Sequence, residues 1–199
     1  MHDVTIKIRQ IGDIFMKLDT RIKKSKQLLK KSLLILMKKK SLNKITIKEL
    51  CELVGLNRST FYSNYEDIND LLLDVHMEVF HNMSEVMGDS WMTPYETTYE
   101  ERVASIIKIL NYFKENHKII ELFLTNNNNN QFEKHLTDYY MNLYLSKTAP
   151  YTERYVFLYH CIGSFSLVHQ WLLDKSPCLS EELAELICTM SSSAKTSYK

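Results

Sequence analysis

The sequence predicts an all-α protein: a small N-terminal helix-turn-helix head followed by a larger helical domain. Three observations carry this. The 199 residues include only 4 Gly and 3 Pro, so strong chain breakers are scarce. Leu, Lys, Glu and Met are abundant, and all are good helix formers. From about residue 25 onward, apolar side chains recur with the helical period of 3.6. A hydrophobic share of 45% is ample for one or two compact domains.

Residues 1–19 read as an N-terminal extension. Ile11, Ile14, Phe15 and Leu18 have helical spacing, but Gly12 interrupts them, which leaves a short docking helix or a frayed arm. Met16 offers a second candidate start of translation. Residues 20–66 form the head. Its first helix, residues 25–39, puts Leu29, Leu33, Leu36 and Met37 on one face and lysines on the rest.

Thr46 then stands where a helix cap belongs, with Glu49 three residues on to close a capping box and Ile45 placed to staple onto Leu50. Helix two runs to about Leu53, with Ile47, Leu50, Cys51 and Val54 facing one way. Gly55 can take the positive φ of a sharp exit, Leu56 plugs the corner and Asn57 can cap the next helix. Helix three, residues 58–64, buries Phe61 and leaves Arg58, Ser59, Thr60, Tyr62, Ser63 and Asn64 outward, with Tyr65 at the margin of the core.

Residues 67–190 form the second domain. Asp67 caps a fourth helix that runs through Leu71, Leu72, Val75, Val79, Met83 and Val86 to Gly88. Helices follow at 99–116, 118–124, 132–145 and 151–174, and Ser180 is expected to cap a last one to about 190. The asparagine run at 126–130 reads as a solvated spacer, and the tail from 191 should fray.

Net charge is only +1, but it is unevenly divided. Residues 1–66 hold 15 Lys and Arg against 6 Asp and Glu, a net of +9, and the remainder carries −8. A basic head suits a polyanion, because neutralised phosphates release condensed counterions, although basic solvated helices are also common. A capped helix, a glycine turn and a second helix with a polar outer face form the geometry that presents a recognition helix to the DNA major groove. The competing reading is an ordinary helix corner in a protein-interaction module whose basic head binds an acidic partner.

The stretch TIKELCELVGLNRSTFYSNY, residues 46–65, closely resembles the helix-turn-helix of the TetR-type regulators. YEDINDLL, residues 65–72, is similar to the start of that family's connecting helix, and TRIKKSKQLLKKSLLILM, residues 20–37, to its first helix. FLYHCIGSFSLVHQWLLDKSPCLSEEL, residues 157–183, more loosely resembles the closing helices of a Firmicutes-type C-terminal subclass. The resemblance implies a homodimeric repressor that binds a palindromic operator in double-stranded DNA and is released by a small-molecule effector of unassigned chemistry.

It also implies roles. Thr46 would contact phosphate, Arg58, Ser59, Thr60 and Ser63 would face the groove, and Tyr62 and Asn64 would hold the backbone. Lys24, Lys26, Lys44 and Lys48 would add charge, and Asn57 and Tyr65 complete the DNA-binding set. One departure is Ile68, where the family usually has a lysine. The dimer face is expected on the helix at 151–174, through Tyr155, Tyr159, Gly163, Ser166 and His169, with Leu183, Leu186 and Ile187 from the last helix. Met83, Met87, Trp91, Phe113, His117, Tyr140, Tyr144 and His160 are candidates to line an effector cavity, though each also suits a plain core.

Other classes find little support. The histidines include no HExxH pair, and no phosphate loop or nucleophile elbow occurs, so neither an enzyme nor a cofactor or metal site is expected. Cys51, Cys161, Cys178 and Cys188 include no CxxC pair and read as reduced. No secretion signal opens the chain, and a cytoplasmic location is expected. Residues 155–173 are apolar enough to suggest a membrane span, but His160, His169, Gln170 and the small residues 163, 164 and 166 favour an interface helix, so no membrane partner is expected.

Overall fold

The computed structural model describes residues 2–88, 97–125, 129–175 and 177–193, and among these there is no strand. The helices are α1 (His2–Met37), α2 (Ile47–Val54), α3 (Arg58–Tyr62), α4 (Ile68–Met87), α5 (Tyr99–Glu115), α6 (His117–Thr125), α7 (Asn129–Tyr144), α8 (Tyr151–Leu173) and α9 (Ser180–Ser193), with a single 3₁₀ turn at Leu42–Lys44. The chain divides into two compact units, Met1–Val75 and His76–Lys199, so the division falls within α4, beyond the boundary expected after residue 66.

In the first unit α1 packs on α2, and α2 on α3. The core is Leu29, Leu33 and Met37 from α1, Leu50 and Cys51 from α2, and Phe61, all essentially fully buried. Helix α1 begins at His2, so the extension expected to be a separate piece is backbone of the same helix. A single glycine at residue 12 costs a helix about 1 kcal/mol relative to alanine, too little to end a 36-residue one. Asp67 caps α4 as expected: its Oδ1 accepts the Asp70 N–H at 2.9 Å while Asp70 Oδ2 accepts the Glu66 N–H at 3.0 Å.

In the second unit α9 lies along α5, α7 packs on α8, and α6 meets both α5 and α7. Its centre is aromatic. Phe80, Phe123 and Phe132 are fully buried, and the last two stack with centroids 5.2 Å apart. A capping box of Thr98 and Glu101 starts α5; its T-x-x-E spacing is present in the sequence but was not among the expected caps.

Three expectations are corrected. Helix α7 begins at Asn129, so residues 129 and 130 are helix and not spacer; residues 126–128 lie outside the described residues. Helix α9 reaches Ser193, past the expected fraying point. Ser180 is no cap: it is buried, and its hydroxyl donates to Asn111 Oδ1 at 3.0 Å, while the Glu182 carboxylate takes the Leu179 N–H.

Candidate nucleic-acid interface

The short helix α3 is set by what precedes it. Thr46 Oγ1 accepts the Glu49 N–H at 3.3 Å, the Thr46 N–H donates to Glu49 Oε2 at 3.0 Å, and Lys40 Nζ donates to Glu49 Oε1 at 2.6 Å. The lysine bond foremost, then those from Thr46, pull the Glu49 carboxyl down to about 2. Gly55 ends α2 at φ 66°, ψ 34°, and the amides of Gly55 and Leu56 turn back to the carbonyls of Glu52 and Cys51. A Cβ at Gly55 would meet nothing within 4 Å, so the left-handed backbone and not crowding calls for glycine.

Asn57 holds the extended backbone of a cap, but its side chain makes no capping bond, contrary to expectation. Its carbonyl instead accepts the Cys51 thiol at 3.8 Å, which tethers the corner to the core. Burial chiefly raises the Cys51 thiol above its usual range, so it stays protonated and can donate.

Helix α3 is five residues long, shorter than the expected 58–64. Phe61 is its buried anchor, and Tyr62, 61% exposed, stands edge-on to that ring with centroids 5.6 Å apart. Asn57, Arg58, Ser59 and Ser63 are exposed, and Thr60 and Asn64 half-buried. Two of the polar groups fold back on the helix: Ser63 Oγ donates to the Ser59 carbonyl at 2.8 Å and Asn64 Nδ2 to the Thr60 carbonyl at 2.6 Å. Thr46, Lys24, Lys44 and Lys48 are exposed as well, Lys48 with its Nζ 3.8 Å from Glu52. Ile68 is half-buried at the start of α4.

Two residues of the expected DNA-binding set are drawn inward. Tyr65 is only 3% exposed, and its hydroxyl donates to Asp74 Oδ2 at 2.7 Å, so its ring belongs to the core. Lys26 Nζ lies 3.7 Å from Asp74 Oδ2 and 5.1 Å from the centre of the Tyr65 ring. Its charge is already partnered.

The expected dimer residues separate into two groups. Tyr155 and Tyr159 are 66% and 65% exposed, Leu186 is 49% exposed, Gly163 and Ser166 are open and His169 is half-buried. Leu183 and Ile187 are instead buried, on the helix α9 that packs against α5, and so cannot present a surface to a second copy. Tyr151, Ile162, Leu173 and Met190 were not anticipated but are exposed on the same two helices; extending the i, i+4 spacing of Tyr155 and Tyr159 back one step finds Tyr151. Helix α8 is the one described helix long and apolar enough to cross a membrane.

The expected cavity residues differ in burial. Met83, Met87, Phe113 and Tyr140 are buried in the core, and Tyr144 and His160 are half-buried. His117 is exposed, with Nδ1 3.0 Å from the Lys114 carbonyl oxygen, and Trp91 lies outside the described residues. An open groove of about 300 Å³ is lined by Glu133, Lys134, Thr137, Asp138 and Ile162, none of them in the expected set.

The fold also pairs a fully buried histidine, His76, with the half-buried His135. His76 Nδ1 lies 2.9 Å from His135 Nδ1, and Phe123 and Phe132 stand edge-on to the His76 ring. One Nδ1 must carry the proton and the other the lone pair. Burial, then the neighbouring imidazole, drives the His76 pKa down to about 3.

Comparison with known proteins agrees with this architecture. Residues 101–193 match the model of a TetR C-terminal family described as "Transcriptional regulator C-terminal region". Among solved structures, the chain is similar to a TetR transcriptional regulator from Streptococcus agalactiae 2603V, with a TM-score of 0.60, 23% identity, and 88% of this chain and 98% of that one covered. It is also similar to the dihydroxyacetone kinase operon activator DhaS, with a TM-score of 0.50 and 13% identity over 85% of this chain and 95% of that one. No curated protein matches. Residues 101–193 thus match a TetR C-terminal family model, and over most of its length the chain shares its fold with these solved proteins.

Proposed function

We propose that this chain is a TetR-type transcriptional regulator that binds a palindromic operator as a homodimer, represses from it, and is released by a small-molecule effector. One observation supports this above the rest: α3 is pinned from beneath by Phe61 while Arg58, Ser59, Tyr62 and Ser63 stand exposed on a head of net charge +9. A structural corner has no need of such an outer face. In the major groove, Arg58 forks onto guanine O6 and N7, the hydroxyls of Ser59, Thr60 and Ser63 accept either base partner, and Tyr62 and Thr46 reach phosphate.

A helix of five residues reads too few bases to select one operator. Two copies related by a two-fold axis read half-sites about 34 Å apart or somewhat more, and the exposed apolar side chains of α8 and α9 supply the surface for pairing. The two similar solved proteins are by their descriptions a transcriptional regulator and an operon activator, which supports control of transcription. The sign of that control is read from a promoter fused to a reporter, with repression expected.

The test is binding to duplex DNA across a salt series. Log affinity should fall steeply with log salt, and Arg58→Ala should cost about 1–3 kcal/mol on a selected duplex while relaxing choice at one base pair. No duplex binding even at low salt would sink the reading and favour the protein-interaction module.

A further inference from the structure

Five helical residues form too few hydrogen bonds to hold α3 in place, so its aim is decided by what its two ends are fastened to. The leading end is fastened by the Gly55 turn and the Cys51 thiol on the Asn57 carbonyl. The trailing end is fastened by Tyr65. Its N–H bonds back to the Phe61 carbonyl at 2.9 Å, its ring lies 5.8 Å from that of Phe61, and its hydroxyl donates to Asp74 on α4.

Asp74 in turn receives Lys30 Nζ from α1 at 3.0 Å on its other oxygen, with Lys26 Nζ at 3.7 Å. The Lys30 side chain is largely covered and Asp74 is about a third exposed, so water screens this cluster less than an ordinary surface pair. Burial alone would raise the Asp74 carboxyl, but the Tyr65 hydroxyl and the Lys30 ammonium outweigh it and hold it below its usual range, so it remains an anion.

We propose that Asp74 is a positioning residue for selective DNA reading: through Tyr65 it fixes the trailing end of α3, and by holding Lys26 and Lys30 it keeps two cations from gripping phosphate indiscriminately. This rests on the DNA-binding reading above. It reverses the expectation from charge alone, under which removing an anion from a basic head strengthens every DNA complex. Loss of Asp74 instead frees charge that carries no sequence information and loosens the helix that does carry it.

The experiment compares the full-length wild type, Asp74→Asn and Tyr65→Phe on a duplex enriched by the wild type from a random library and on a shuffled version, over a salt series, with circular dichroism to check folding. Asp74→Asn should bind the enriched duplex about tenfold more weakly, the scale of losing a hydrogen bond to a charged group, and the shuffled duplex more tightly. Its salt slope should steepen by about 1–2, one or two further phosphates being neutralised. Tyr65→Phe, which leaves the lysines on Asp74, should weaken the enriched complex without changing the shuffled one or the slope. If Asp74→Asn binds both duplexes more tightly, the carboxylate acts by charge alone; if it binds both more weakly, it only supports folding. Either result overturns the proposal, as does a Tyr65→Phe that matches the wild type on the enriched duplex. A wild type that enriches no duplex sinks the DNA-binding reading itself, a result separate from these.

Discussion

His76 carries the largest conflict between where a side chain sits and what it prefers in water. It is fully buried among phenylalanine rings, and its pKa falls from 6.5 to about 3, so the folded chain excludes a proton that the unfolded chain accepts. Stability from this exclusion is fully present above the unfolded value of 6.5 and is lost as pH falls from there toward about 3. His135, lowered in the same direction chiefly by its own burial, adds to the loss. Glu49, held at about 2, is a separate contribution that is present above its ordinary value of 4.5 and lost below it. The expected outcome is that denaturant midpoints fall between about pH 7 and about pH 5, and that His76→Phe flattens this decline. An equal slope in the variant would remove His76 as its cause. The pair was not legible in the sequence because its partners are 59 residues apart and only folding unites them. Tyr65 is the milder case: its spacing puts it at the margin of the core, and Asp74 supplies the bond its hydroxyl needs there.

Helix ends were legible at three local signals, although Asn57, equally local, makes no capping bond. Thr46 with Glu49, Gly55, and Asp67 with Asp70 all act within a few residues, and each forms the bond its spacing implies. Positions decided by a distant partner were not legible: serine often caps a helix, but a residue on another helix, Asn111, claims the Ser180 hydroxyl. Helical period likewise identified α9 as amphipathic without telling which stripe meets its own chain, so Leu183 and Ile187 were assigned to the wrong side from Leu186. Three substitutions test the helix-turn-helix corner. Gly55→Ala introduces no clash, so its cost is the left-handed backbone alone, about 1–2 kcal/mol, and Gly55→Asn should cost less because asparagine tolerates that region. Thr46→Ala removes a cap and should cost about 1 kcal/mol. Equilibrium denaturation measures all three. A Gly55→Ala variant as stable as wild type would mean that the turn adopts another backbone.

The exposed tyrosines of α8 require an explanation that one copy of the chain does not provide. Tyr151, Tyr155 and Tyr159 lie on successive turns, each at least 65% exposed, with Leu173 on the same helix and Leu186 and Met190 on α9. Scattered apolar residues on a surface are normal, but a row on successive turns of one helix calls for a cover, and under the proposed function a second copy supplies it symmetrically. If so, folding and pairing are linked, and the thermal midpoint of the wild type should rise with protein concentration. Tyr159→Asp places a charge in this row without touching the core of its own chain. It should yield a folded monomer on sizing, with a midpoint independent of concentration. A Cβ at Gly163 meets nothing within 4 Å, so the backbone there accepts a side chain, and Gly163→Leu is expected to impair pairing by crowding a second copy. The consequence for DNA is more than a halving. A dimer that binds one half-site holds its second α3 close to the other, whereas a monomer must find each half-site independently, so loss of pairing should reduce operator affinity by about 10²-fold or more. Binding to a single half-site should be unchanged. If Tyr159→Asp remains dimeric, or becomes monomeric yet binds the full operator as tightly as the wild type, then α8 is not the surface that joins the two reading heads.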